Sequence, residues 1–304
     1  MTGGLRGRLV DAGYAAGWRL VRALPAPVAG AAFRLGADLA ARRRGPGARR
    51  LRATLARVVP GAAPAELDAL VRAGLRSYAR YWCEAFRLPA LDPVAVHARM
   101  DPHVVGAGPF LEALDEGRGV VFALPHSGNW DAAGVWLVET LRGRGHEPAF
   151  TTVVERLRPA SLYERFVAYR ESLGFEVVAV DEGTVAHRAL TRRLRAGGVA
   201  CLVADRDLTG TGIEVSLFGE PARLPAGPAR LAALTGALLL PAYPRFTADG
   251  WALEFGAPVP VAGRAEVGKA TQELADAFTA LIPAAPADWH ALQPVFVADR
   301  EAAP

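Results

Sequence analysis

Gly119-Val-Val-Phe-Ala-Leu-Pro-His-Ser-Gly-Asn-Trp-Asp131 is the stretch on which the fold of this 304-residue chain turns. Its first half is an apolar, β-branched run that predicts a buried strand over 119–124. Pro125 ends the run, and Ser127, Gly128 and Asn129 are turn and N-cap residues. An alanine-rich stretch with helical periodicity follows, from about Asp131 to Leu141. His126 is therefore expected just past a strand, and Asp131 in the first turn of a helix. On one regular helix, residues five apart point about 140° away from each other. The two can meet only across the turn. There a carboxylate could bond one imidazole nitrogen, fix the tautomer and leave the other nitrogen as a general base. A satisfied structural histidine is the alternative, since a His and an Asp five apart also occur by chance. The position favours a site, because open α/β sheets place theirs at the carboxyl ends of strands.

Outward from this unit the pattern alternates. Strands are predicted at 119–124, 148–154, 175–180, 199–204, 213–218, 237–243 and 251–257. Helices are predicted at 107–117, 131–143, 159–173, 184–196, 225–236 and 266–282. The expected fold class is α/β: a single large domain over 1–304, with a mixed β-sheet flanked by helices. Pro25, Pro27 and the Arg42-Arg-Arg-Gly-Pro-Gly47 stretch divide the first hundred residues into short helices, before a long amphipathic segment from Pro64 to Phe86.

Composition narrows the function classes. Cys83 and Cys201 lie far apart in apolar surroundings and read as buried thiols. The six histidines show no metal-ligand spacing, so no metal is expected. There is no Gly-x-Ser-x-Gly elbow. Gly263-Arg-Ala-Glu-Val-Gly-Lys269 has P-loop spacing, but Ala270 stands where Ser or Thr should hold magnesium. No cofactor is expected. The net charge of +4 hides an asymmetry, for residues 1–60 carry twelve Arg against two Asp. A cationic front end points to an anionic surface, membrane or nucleic acid. From Arg8 to Leu24 the chain is mostly apolar, with Tyr14 and Trp18, and Arg8, Arg19 and Arg22 fall within about 60° on a helical wheel. That pattern favours an interfacial membrane helix over nucleic-acid binding. A surface helix packed on the core is the alternative. No apolar run of ~18 residues and no convincing signal peptide is present, so a peripheral protein on the cytoplasmic face of the cell membrane is expected.

The His-four-residues-Asp motif after a buried strand resembles the first motif of the glycerolipid and lipid A acyltransferase superfamily. Ala204-Asp-Arg-Asp-Leu-Thr-Gly-Thr-Gly212 and Leu217-Phe-Gly-Glu-Pro-Ala-Arg-Leu-Pro-Ala-Gly-Pro-Ala-Arg-Leu-Ala232 are similar to the third block of its lipid A late acyltransferase branch. Tyr78-Ala-Arg-Tyr-Trp-Cys-Glu-Ala-Phe-Arg87, Glu155-Arg-Leu157, Leu162-Tyr-Glu-Arg-Phe166 and Asp288-Trp-His-Ala-Leu-Gln-Pro294 resemble the phosphatidylinositol mannoside acyltransferases of actinobacteria. The resemblance runs from about residue 5 to 297 and implies transfer of a long acyl group, palmitoyl in that branch, from acyl-CoA as co-substrate to a mannose hydroxyl.

For such a reaction His126 is the expected base and Asp131 its orienting partner. The resemblance also implies a second acid near the imidazole. Asp205 occupies that place, where some relatives carry Glu and where a turn cap is the alternative role. No Ser or Cys is placed for a covalent acyl-enzyme. Phosphates of donor and acceptor favour arginine forks. Arg156, Arg158, Arg170, Arg206 and Arg223 flank predicted strand ends, and Glu155 could bond a sugar hydroxyl. Trp130, Trp136, Phe150 and Phe166 are candidates to line an acyl groove, or are plain core. The rival readings are a lipid A-type late acyltransferase acting on a glucosamine lipid and a non-catalytic anionic-lipid-binding protein.

Overall fold

The computed structural model describes residues 13, 17–156, 160–207 and 210–301. Nine strands occur among them: β1 (Val104–Val105), β2 (Val120–Leu124), β3 (Phe150–Val154), β4 (Phe175–Ala179), β5 (Val199–Val203), β6 (Ile213–Leu217), β7 (Glu220–Leu224), β8 (Leu238–Phe246) and β9 (Trp251–Phe255). Seven form one sheet in the order β1-β9-β8-β2-β5-β3-β4, and β6 and β7 form a separate antiparallel hairpin. β2 runs parallel to both β5 and β8, whereas β9 returns antiparallel to β8, so the sheet is mixed. The chain is a single α/β domain, as the alternating pattern predicts.

β2 explains why its sequence is apolar without interruption. All five of its residues are buried. Val121 and Ala123 face a core shared with the helices Thr184–Arg195, Gly227–Thr235 and Val267–Leu281. Val120, Phe122 and Leu124 face the opposite core, shared with Gly108–Asp115 and Trp130–Gly143. A strand covered on both faces needs no polar side. The second layer is drawn in closely at Gly134, where a Cβ would stand 2.4 Å from the Phe175 ring.

Two strands lie outside the predicted set. β1 is only two residues long, and β7 carries Pro221 and Arg223 in a hairpin edge where alternation rather than a run buries Ala222 and Leu224. In the first hundred residues the helices Ala26–Arg43, Pro46–Val58 and Pro64–Arg87 pack around Leu51, Leu55, Leu67, Val71 and Leu75. The Arg-Gly-Pro break falls where expected, with Pro46 opening the second of these helices.

Residues 17–23 are also helical. Arg8 and Tyr14 lie outside the described residues. Trp18 does not project outward as an interfacial anchor would. Its ring is half-buried and packs 4.9 Å from Phe86 and 5.3 Å from Phe166. No described helix is long and apolar enough to cross a membrane.

Candidate active site

The register of two strands assembles the polar centre. β2 and β5 are parallel neighbours with Leu124 opposite Val203. Two residues beyond each partner stand His126 and Asp205. Their side chains meet, with Nδ1 of His126 2.7 Å from Oδ1 of Asp205. The His126 amide also donates to Oδ2 at 3.1 Å. The turn after His126 depends on Gly128, whose φ is +51° and whose missing Cβ would lie 2.6 Å from the Pro244 carbonyl oxygen.

Residues 288–290 bracket this turn from outside. The Gly128 amide donates to the Asp288 carbonyl, and the His290 amide to that of His126. Between them Trp289 is fully buried, and its indole Nε1 donates to Oδ2 of Asp205 at 2.9 Å. Burial alone would raise the Asp205 carboxyl. The charge of His126, hydrogen bonds from His126 and Trp289, and the nearby Arg206 outweigh burial and hold it down at about 2. A carboxylate so fixed keeps the His126 Nδ1 proton engaged and leaves Nε2 for a substrate.

Asp131 is the correction. It was expected to orient His126, and Asp205 holds that place instead. Asp131 is buried, with Oδ1 accepting from Arg170 Nε at 2.9 Å and Oδ2 from the Tyr81 hydroxyl at 3.1 Å. Burial works against the Arg170 charge, but Asp131 more than offsets it and raises the guanidinium further. Burial first, then the charge of Asp131, push the Tyr81 phenol well above its usual range. Tyr81 stacks on Trp130 with ring centroids 3.8 Å apart, and Trp130 meets the His126 ring edge-on at 5.7 Å. Asp131 thus reaches His126 only through packed rings. The reason is local. Asn129, not Asp131, closes the turn, capping the helix through the Ala132 amide and donating to Glu84. Glu84 also accepts from Trp251 and pairs with Arg80, which ties the turn to helix Pro64–Arg87.

His126 opens on a cavity of about 320 Å³ walled by Tyr78, Trp130, Glu155, Phe166, Arg206 and His290, among others. The expected binding residues divide. Glu155 and Arg206 line the cavity, and Arg206 Nε is buried with no partner among the described residues. Arg170 also lines it but is committed to Asp131. Arg156 turns away to pair with Asp181 and Glu182. Arg223 approaches Glu214, and Arg158 lies outside the described residues. The aromatic set splits as well. Trp130 and Phe166 belong to this cavity, while Trp130, Trp136 and Phe150 border a smaller apolar void of about 70 Å³ beneath it. Among the described residues no cluster of three or more His, Cys, Asp or Glu could hold a metal.

An oriented histidine beside an apolar-walled cavity can take a proton from a hydroxyl as it attacks an ester-like carbonyl, and comparison with known proteins agrees that this chain is an acyltransferase. Residues 8–297 match the family described as bacterial lipid A biosynthesis acyltransferase, and the chain belongs to that family. It is 52% identical over 297 residues to a phosphatidylinositol mannoside acyltransferase of Mycolicibacterium smegmatis, spanning 97% of this chain and 94% of that one. A Mycobacterium tuberculosis protein of the same name is 49% identical over 291 residues, 95% of this chain and 89% of the relative.

Ser77, Tyr81, Glu84, Asp288, Trp289 and His290 were not singled out as site residues. All but Ser77 fall in sequence blocks noted only for resemblance, and no spacing rule connects residues 77–84 or 288–290 to residue 126.

Proposed function

We propose that this protein moves a long-chain acyl group, palmitoyl in the resembling branch, from acyl-CoA to a mannose hydroxyl of a phosphatidylinositol mannoside. The observation that carries the reading is the His126–Asp205 pair, 2.7 Å apart on the cavity wall. His126 Nε2 accepts the hydroxyl proton, and the oxygen forms its bond to the thioester carbon. The carbon–sulfur bond then breaks, and the thiolate leaves with the electron pair. Asp205 stabilises the imidazolium formed in between. Arg206, whose buried Nε has no partner among the described residues, is proposed to face donor phosphate or developing negative charge, and Glu155 to accept from a sugar hydroxyl. Support for the acceptor comes from the names of the two mycobacterial relatives and their near-complete coverage. The test is product analysis by mass spectrometry with purified enzyme, palmitoyl-CoA and phosphatidylinositol mannosides. Acylated mannolipid is expected from wild type and not from His126→Ala. Transfer only to glucosamine lipids would replace the acceptor, and lipid binding without turnover would overturn the enzyme reading.

We also propose that the first sixty residues hold the enzyme on the anionic, cytoplasmic face of the membrane. Val28, Leu35 and Leu39 are exposed, and at ~100° per residue they lie on one face of helix Ala26–Arg43. Leu20 is exposed just before them, as are Arg19 and Arg22. An apolar groove of about 850 Å³, lined by Phe33, Ala37, Leu75, Trp82 and Phe86, runs alongside and shares Tyr78, Trp82 and Phe166 with the site cavity. Vesicle flotation should show tighter binding to anionic than to neutral liposomes, and loss of binding in a Leu35→Asp, Leu39→Asp variant. Equal binding to both vesicle types would remove the electrostatic half of the reading.

A further inference from the structure

Three residues left unused by the proposed reaction form a second polar relay, which reaches the cavity wall at His290. Ser77, on helix Pro64–Arg87, donates from Oγ to Asp288 Oδ1 at 2.7 Å. The same Oγ lies 3.0 Å from Nε2 of His290. Asp288 Oδ2 is occupied in turn by the Phe246 amide at 2.8 Å. A serine hydroxyl carries one proton. With that proton given to Asp288, Ser77 can only accept from His290, so Nε2 of His290 carries hydrogen and Nδ1 carries a lone pair.

The environment keeps this imidazole neutral. Burial disfavours its charged form, His126 adds to the effect, and together they push His290 down to about 3. His290 is only 7% exposed, and its ring is flanked by Tyr78, Tyr81 and Trp130. Its Nδ1 is buried without a partner among the described residues. A bare buried acceptor costs free energy unless something arrives to satisfy it. His290 belongs to the cavity that also contains His126, and its amide donates to the His126 carbonyl at 2.7 Å.

We propose that His290 is a specificity-determining residue. Through Nδ1 it accepts a hydrogen bond from one hydroxyl of the polyol acceptor, adjacent to the hydroxyl that His126 deprotonates. Ser77 and Asp288 are positioning residues that hold the accepting tautomer. The thioester group itself has no hydrogen to donate, so the contact is placed on the acceptor, and separate KM values for the two substrates distinguish it from a contact to the pantetheine amides of acyl-CoA. The inference rests on the acceptor reading given above.

Steady-state kinetics with phosphatidylinositol dimannoside and its monodeoxy-mannose analogues test it. His290→Phe keeps an aromatic ring but no acceptor, and should raise KM for the mannolipid roughly ten- to a hundredfold, with KM for acyl-CoA little changed. One deoxy analogue should already be poor with wild type and show no further penalty with His290→Phe. His290→Asn, whose side-chain oxygen can reach the place of Nδ1, should restore much of the loss. Ser77→Ala should weaken acceptor binding without touching the cavity. A rise confined to KM for acyl-CoA, or an equal penalty across all deoxy analogues, would overturn the assignment. If wild type acylates no mannolipid, the acceptor reading fails instead. Nitrogen-15 spectra of histidine-labelled protein then still decide on His290, with methyl mannoside as the probe. A neutral ring whose Nδ1 resonance moves on addition supports the proposal, and an Nδ1-protonated ring or an unmoved resonance ends it.

Discussion

Asp205 and Asp131 are both almost fully buried, 2% and 1% exposed, and both stand where a strand gives way to the next element. Asp205 bonds an imidazole, a partner that can gain and lose a proton. Asp131 bonds the guanidinium of Arg170, which cannot. On the proposed mechanism the same carboxylate chemistry gives one group a place in proton transfer and the other a place in the scaffold. The partner's ability to titrate, not sequence proximity to His126, separates the two.

The largest expected difference is in rate. His126→Ala and Asp205→Asn should each lower transfer by about 10²–10⁴, while circular dichroism and melting stay close to wild type. Near-normal kcat in a folded Asp205→Asn protein would erase the distinction between the two carboxylates. Asp131→Asn or Arg170→Met should instead act through stability, by about 3–5 kcal/mol, because each leaves a buried partner unpaired. Urea denaturation of the two single variants and Asp131→Leu/Arg170→Met would sharpen the contrast. The double variant should be more stable than either single one. An Asp131→Asn protein with wild-type stability but no activity would return this residue to the chemistry.

An effect of comparable size, spread over several pH units, appears in the pH dependence of stability. Asp205 is held down at about 2, so its contribution is complete above the ordinary carboxyl value and disappears as pH falls from about 4 through about 2. His290, pushed down to about 3, works over a higher window. Its unfolded counterpart takes a proton near pH 6.5 that the folded ring refuses until about 3, so stability falls as pH drops between those values. The slope should approach about 1.4 kcal/mol per pH unit for this one proton. Urea midpoints across that range should decline in wild type and flatten in His290→Asn; parallel curves would refute the assignment.

Trp289→Phe removes one donor from Asp205 and should cost several-fold in kcat, with the acid limb of the rate profile moved up in pH. An unshifted limb would make Trp289 a packing residue only. The least effect is expected at the thiols. Burial raises both Cys83 and Cys201, so neither supplies a ready thiolate, and Cys83→Ser and Cys201→Ser should keep turnover. Acylation of either sulfur during turnover would contradict this.

Much of the sheet was legible because strands rich in apolar and β-branched residues stand out between turn residues. β2, β3, β4, β5, β8 and β9 were all predicted to within a few residues of their ends. β7 was not, since half its residues face outward and one is proline. His126 stood out through its turn. Asp205 was named beside it only through the family resemblance, because local spacing offered Asp131 whereas the contact with Asp205 follows from the Leu124–Val203 register, which is a property of strand pairing. The same limit hid Trp289 and His290. They reach the turn through backbone bonds between segments far apart in the chain. Trp18, in the segment read as an interfacial helix, packs on Phe86 and Phe166, which no local pattern relates to it.

The bracket formed by residues 288–290 also imposes an order of assembly in time. During synthesis His126 and Asp205 emerge early, with β2 and β5 able to pair as soon as both are free of the ribosome. Trp289, which grips the Asp205 carboxylate, follows it by 84 residues, so the groups that grip the turn are made after both strands. A nascent chain therefore carries both strands before it carries the bracket that fixes His126 and Asp205.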